Sequence, residues 1–411
     1  MIMKLRSIAY RNIYRNRRRS ILSATAIMVA AMSIVLLFSF LGGMKADLTY
    51  NLQTYSTGAV RIRHKDFSKY ERLNPMHLTI TDVDQLRDEL LSEAGVSVVS
   101  PRISFPARIY KGEENYNAMG VGLDFSTEAE YQDLGPDILQ KGRLPESGKN
   151  EALIGYKLAE KAGVGIGDKI TLLSSTASRG TNAITFQITG LVVFPLSGMS
   201  EMTFYAPLDR VQHFLKMPGQ VLEMLVKCDE DTDTAAVASA LQKNLSAAAD
   251  LEIINWQDIS TSYSFIEMAS AIYNLFALFF FFLASTVILN TTIMVIFERM
   301  REIGTLSAMG MYGKDLVRLF FLESMYIAII GSVLGVILGV VITQILSVTG
   351  INFGSAMDGV DMEISSVLHP ELSLKSTVLV FFYSVIMASV VSIFPSRKAS
   401  RIEPVEALRA I

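Results

Sequence analysis

Phe297–Leu316 reads FERMREIGTLSAMGMYGKDL. Long apolar runs flank it on both sides, charges of both signs punctuate it, and apolar residues recur at Ile303, Leu306 and Met309 or Gly310. That is the spacing of a short amphipathic helix. A charged helix between two membrane spans, on the side where Lys and Arg collect, is placed to take a push from a soluble partner. The fold therefore turns on what lies to either side.

Downstream, Leu319–Leu346 is long and apolar enough to cross a bilayer and carries Gly331, Gly335 and Gly339 at four-residue spacing. Such a ridge lets two helix backbones approach closely, a packing role rather than a catalytic one. Glu323, near the end of this span closest to the quoted stretch, is expected to snorkel toward the interface. The loop from Ser347 to Lys375 is acidic and poor in basic residues, and the fourth span, Thr377–Phe394, is expected to stop at the basic run PSRKASR. Upstream, Met268–Ile296 is a second apolar run with four phenylalanines at 279–282. As a helix it would measure about 43 Å against a hydrocarbon core of ~30 Å, so it should project beyond the bilayer as a stalk. Its Asn274 and Asn290 suit interhelical hydrogen bonds or the interface.

Ile21–Leu41 is the first span, expected to end at Gly42-Gly43, and it is longer than the apolar region of a cleaved signal peptide. The preceding residues interleave Arg6, Arg11, Arg15 and Arg17–Arg19 with Leu5, Ile8, Tyr10, Ile13 and Tyr14. This reads as a basic amphipathic helix lying on the inner membrane face and keeping the N-terminus inside.

Between the first two spans lies a globular composition. Gly58–Arg63 and Val96–Tyr110 read as strands, with a helix between them capped at Thr81 and presenting Val83, Leu86 and Leu90 on one face. Val221–Lys227, Thr234–Ala248 and Leu251–Ile254 repeat the strand-helix-strand order. Two such units around an insertion describe a split ferredoxin-like core. The insertion, about 115–205, is strand-rich, with a short helix at Tyr156–Lys161. Its clearest strands, Lys169–Leu173 and Thr185–Phe194, are joined by the polar loop SSTASRGTNA.

The expected organisation is an α-helical membrane protein with four transmembrane helices plus an α+β extracytoplasmic domain. Its segments are an amphipathic helix (1–19), first span (20–43), extracytoplasmic domain (44–267), second span with stalk (268–297), coupling segment (298–315), third span (316–346), outer loop (347–375), fourth span (376–394) and tail (395–411). Half the residues are hydrophobic and 19% are charged, with a mean hydropathy of +0.36. That balance fits spans plus a sizeable soluble domain. A net charge of -3 gives no general field for nucleic acid, and one cysteine, Cys228, with four histidines leaves neither a disulfide framework nor a metal site. Neither Gly148-Lys149-Asn150 nor Gly313-Lys314-Asp315 completes a phosphate-binding loop, and the acidic run 229–233 lacks the glycine and closing glutamate of a calcium loop. No catalytic motif remains, so the energy source is expected on another polypeptide.

AYRNIYRNRRRS before the first span, STGAVRIRH after it, GRLPESGKNEALIG with AGVGIGDKITL in the insertion, ERMREIGTLSAMG, and PSRKASRIEPVEALR together resemble the FtsX/MacB-type permease subunits of ABC transporters (type VII exporters). Within that family they are similar to the LolC/LolE lipoprotein-releasing branch. The resemblance implies a non-enzymatic bacterial inner-membrane subunit, multi-pass with both termini cytoplasmic, that pairs with a second permease, identical or related. Two copies of a separate ABC ATPase hold the ATP and Mg²⁺, and this chain binds no cofactor itself. ATPase coupling falls to Glu298, Arg299, Arg301, Glu302, Ile303, Gly304, Leu306 and Gly310, with Ile303 and Leu306 seated in the ATPase. Helix packing falls to Gly331, Gly335 and Gly339. Ser178, Arg179 and Gly180 form a candidate carrier-binding hairpin. The implied function is mechanotransmission that releases lipoproteins to a periplasmic carrier. The alternatives are a MacB-like efflux permease with a periplasmic adaptor, whose usual form carries its ATPase at the N-terminus, and an FtsX-like activator of a cell-wall hydrolase.

Overall fold

A computed structural model describes residues 2–399 apart from 16, 113, 133, 136–137, 196, 230–231, 246–249, 299 and 353–366. Contacts divide the chain into two units: Met1–Ala46 with Met268–Asn352 and Val367–Ile411, and Asp47–Glu267 with Phe353–Ser366. The predicted tail beyond Ala399 and the middle of the acidic outer loop lie outside the described residues.

The first unit is helical. Ile2–Arg15 is followed by a long helix, Arg17–Leu52, then by Ser260–Glu298, the short Met300–Ala308, Gly313–Thr349 and Leu374–Ala399. Among the described residues, four of these are long and apolar enough to cross a membrane. Two expected stops are absent. The first membrane helix runs straight through Gly42 and Gly43 to Leu52, because those glycines are a notch: Gly43 lies against the His369 carbonyl and Pro370, and the Glu371 N–H donates to the Ser39 carbonyl at 3.0 Å. The fourth runs through Pro395 to Ala399. Serine hydroxyls on either side of the proline bond back to helix carbonyls, Ser392 to Ser389 at 2.7 Å and Ser396 to Ser392 at 2.5 Å. Glu323 does not snorkel; it is 2% exposed inside the bundle. Asn274 and Asn290 are exposed on the second membrane helix.

In the second unit, strands β1 (Val60–His64), β2 (Val96–Lys111), β3 (Glu114–Leu123), β4 (Leu139–Gly142), β5 (Glu151–Gly155), β6 (Lys169–Ser175), β7 (Thr181–Val192), β8 (Thr203–Pro207), β9 (Glu223–Cys228) and β10 (Leu251–Asn255) form one sheet. Its first part has the order β10-β1-β9-β2, antiparallel throughout, with helices Val83–Leu91 and Thr234–Asn244 as the two connections. This is the split ferredoxin-like core. Leu86 and Leu90 of the first connection are buried as expected, but the cap differs: Asp82 precedes the helix in a left-handed conformation (φ 54°) with no capping bond, and Thr81 donates to its carboxylate instead. A capping side chain needs extended backbone to reach the free N–H groups.

β2 is long enough to serve both parts of the sheet. Val96–Arg102 pairs with β9, whereas Ile103–Lys111 pairs with β3. From there the pairings β3-β8, β8-β5, β5-β7, β7-β6 and β6-β2 close on themselves, so the insertion is a ring of six strands. Phe105 fills the ring with Phe204 and Phe214, each at 5.9 Å between centroids, and Gly120 leaves room for the first two. Cys228 is half-buried; burial, then neighbouring Asp229, pushes its thiol up to about 11, so it is protonated and unreactive at neutral pH.

Candidate functional site

The quoted stretch folds as predicted in outline and differently in detail. Glu298 ends the second membrane helix, Arg299 lies outside the described residues, and Arg301, Glu302, Ile303, Gly304 and Leu306 lie on the helix Met300–Ala308. That helix closes in a Schellman motif. Met311 N–H donates to the Leu306 carbonyl at 3.1 Å and Gly310 N–H to Ser307 at 3.0 Å, with Gly310 at φ 90°, where a glycine is favoured. The apolar contact that accompanies the motif is present, because Leu306 and Met311 pack together on Leu316 and Phe320 of the third membrane helix. Leu306 also meets Leu5 and Ala9 of the N-terminal helix beside Leu319. Leu306 is therefore half-buried, with part of its side chain committed to packing within the bundle. The same periodicity describes a face that packs inside and one that docks outside.

Among the described side chains of this stretch, the large apolar groups that face outward are Met309 and Tyr312, 73% and 76% exposed on the turn around Gly310. The segment MGMYG was the missed signal: two bulky residues beside glycines that force a turn. Tyr312 then precedes the third membrane helix, whose first turn holds buried Asp315 facing Arg318 at 3.8 Å.

Further along, a Cβ at Gly331 would lie 2.6 Å from the Ala24 carbonyl, one at Gly335 would overlap the Met28 carbonyl and sit 2.9 Å from the Ala31 Cβ, and one at Gly339 would lie 2.9 Å from the Val35 Cβ. The first and third membrane helices thus run parallel with backbones touching along Ala24–Val35. On another side of the first membrane helix opens an apolar groove of about 910 Å³, with Val29, Ser33 and Phe40 on one wall, Phe280 and Leu283 of the second membrane helix on another, and Leu346 of the third beyond. No sequence motif marks it, because its walls are ordinary membrane side chains gathered by packing.

In the second unit, the chain from the first membrane helix ends in a π-helical turn, Gln53–Thr57. Arg102 Nη2 donates to the Thr54 carbonyl at 3.4 Å and Tyr131 OH to that of Gln53 at 3.4 Å, while Tyr55 packs edge-on to Phe194. Arg102 is fully buried and grips Glu128 with two bonds of 2.9 Å; Ser100 and Gln132 also bond that carboxylate, and the Tyr131 ring lies 4.8 Å from the guanidinium. Burial opposes the charge on Arg102, but Glu128 prevails and holds its pKa above the ordinary arginine value. Val60 pairs with Asn255, so the strand entered from the first membrane helix lies beside the strand that leads, through Trp256–Asp258, to the second.

The profile for the MacB-like periplasmic core domain matches residues 20–244, and that for the FtsX-like permease C-terminal matches 274–404. The chain belongs to the FtsX/MacB-type family of ABC transporter permeases. The permease is 21% identical over 98% of its length to an uncharacterized ABC transporter permease of Methanocaldococcus jannaschii, covering 97% of that protein. It is 23% identical to the lipoprotein-releasing system transmembrane protein LolC of Xylella fastidiosa, over 78% of this chain and 79% of the relative. The Escherichia coli macrolide export ATP-binding/permease protein MacB matches at 25% identity over 51% of the permease and 31% of its own length. The periplasmic region of MacB from Actinobacillus actinomycetemcomitans aligns over 53% of the permease and 97% of that chain, with 16% identity and a TM-score of 0.38.

In the permease the predicted hairpin is shorter-looped than expected, since β6 and β7 pair as far as Ser175 and Thr181. Ser178, Arg179 and Gly180 form its exposed tip, with Arg179 at φ 62°. The residues flanking the tip are tied down, Ala177 N–H to the Leu215 carbonyl (3.0 Å) and Asn182 to that of Phe214 (2.8 Å). Arg179 borders a cleft shared with exposed Tyr70 and Leu73.

Proposed function

We propose that this permease couples ATP hydrolysis on two copies of a separate ABC ATPase to the extraction of lipoproteins from a bacterial inner membrane. In this reading both termini and the Met300–Tyr312 segment are cytoplasmic, Met309 and Tyr312 enter the ATPase, and a second permease subunit covers the open face of the second membrane helix. The observation that carries the cargo class is the apolar groove beside the first and second membrane helices. Its volume and lining suit acyl chains and offer a polar solute little to bond, and the similarity to LolC supports the same class. The Arg102–Glu128 knot gives a pull on the first helix a firm attachment to the soluble domain. Released lipoprotein would pass to a periplasmic carrier, with the Arg179 cleft as its docking point.

The similarity to MacB favours a second reading, efflux of amphiphilic peptides or compounds with a periplasmic adaptor. A photo-crosslinking residue at Val29 in proteoliposomes holding the permease and its ATPase separates the two. Capture of triacylated lipoprotein, lost on ATP addition with release to the supernatant, is the expected result. ATP turnover with neither capture nor release would sink the lipoprotein reading, and capture of amphiphilic peptide instead would establish the second.

A further inference from the structure

Where the N-terminal helix meets the first and third membrane helices lies a second, smaller cleft of about 260 Å³. Ile21, Ala24, Ile327 and Ile330 line it, and Tyr14 and Arg17 border it. Arg17 is held in place: its Nε donates to the Tyr14 carbonyl at 3.3 Å and its guanidinium carbon lies 4.8 Å from the Tyr14 ring centroid. Arg17 is nonetheless exposed, as are Arg11, Arg15 and Arg18 on the same segment, and the first carboxylate in the sequence is Asp47. Among the described residues no acidic side chain lines the cleft; Glu323, on the third membrane helix that forms one wall, is buried elsewhere in the bundle. The cleft opens where the apolar span begins, at Ser20, and Ile21 and Ile330 remain 63% and 48% exposed at its mouth.

A fixed guanidinium over an apolar slot at the level of the lipid head groups matches a molecule with an anionic phosphate at one end and a hydrocarbon chain at the other. Basic pockets between membrane helices recognise acidic lipids in this way, and a guanidinium suits phosphate oxygens better than an ammonium. We propose that this cleft binds an acidic phospholipid, with the phosphate on Arg17 and one acyl chain along Ile21, Ala24 and Ile330. The Ala24 carbonyl is also the group against which Gly331 packs, so the bound lipid braces the seam between the first and third helices at its basic end. The site depends on the bundle spanning a membrane and not on what the permease transports.

The test uses the full chain in detergent, titrated with dilauroylphosphatidylglycerol, dilauroylphosphatidylcholine or inorganic phosphate and followed by thermal unfolding, since a ligand that binds the folded state raises Tm. Phosphatidylglycerol should raise Tm saturably and the other two should not. Arg17→Gln should weaken the apparent affinity about fivefold, the factor for ~1 kcal/mol of lost surface attraction. Ile330→Trp, which blocks the slot, should abolish the response, and Arg11→Gln, an exposed arginine away from the cleft, should leave it unchanged. An equal response to inorganic phosphate would mean a bare anion site, and equal losses in Arg11→Gln and Arg17→Gln would mean a diffuse basic surface. Either overturns the proposal, as does an unchanged affinity in both Arg17→Gln and Ile330→Trp. If one of these two variants fails to fold, the other decides.

Discussion

The first and second membrane helices connect to neighbouring strands of the same sheet, yet they are held in opposite ways. The first lies backbone to backbone against the third along three glycines, and its continuation ends in a turn gripped by Arg102, Tyr131 and Tyr55. The second is tied, among the described residues, by side chains near its middle. Tyr383 OH donates to the Phe281 carbonyl at 3.0 Å and bonds the Ser285 hydroxyl, and Phe281 meets Phe38 edge-on at 6.5 Å. Leu275, Phe279 and Phe282 share one of its faces and are all more than half exposed. One helix is thus closely packed along a glycine seam, and the other leaves an apolar face exposed.

The comparison breaks most easily at the knot. Arg102→Met leaves Glu128 buried without its counter-charge and should cost about 3–5 kcal/mol in unfolding measurements, whereas the double variant Arg102→Met/Glu128→Leu should recover most of that. A single variant as stable as the parent would show that the turn is held by something else. Next comes the seam: Gly335→Leu forces the first and third helices apart and should cost about 1–3 kcal/mol, read as lower Tm in detergent. Removing the hydroxyl of the second helix's clasp, Tyr383→Phe, should cost ~0.6 kcal/mol, the average for an interhelical hydrogen bond in a membrane. Phe279→Ala should change the stability of the isolated subunit by no more than about 0.5 kcal/mol. A larger loss would place that face inside the subunit and erase the contrast.

Much of this was legible from residue order. Apolar runs, arginine clusters and glycine spacing are local properties, and they predicted four helices, the short helix between the second and third, and the Gly331, Gly335 and Gly339 ridge that lies on the first helix. Two strand-helix-strand units likewise announced the ferredoxin-like core. Residue order says least where one pattern serves two structures. Gly42-Gly43 reads as a stop and is a notch for the segment His369–Glu371; Leu306 reads as a docking residue and also supplies the apolar contact of a helix cap.

What the sequence determined by itself, then, is which segments leave water and where helices can touch, because hydrophobicity, charge and the absence of a Cβ act residue by residue. Tertiary structure decided which face of a helix looks inward, that Glu323 is buried, that one long strand serves both the ferredoxin-like core and a closed ring, and that a groove and a basic cleft exist at all. Those features are made by side chains far apart in sequence whose positions follow from packing, and burial is a property of the packed whole rather than of any stretch of chain.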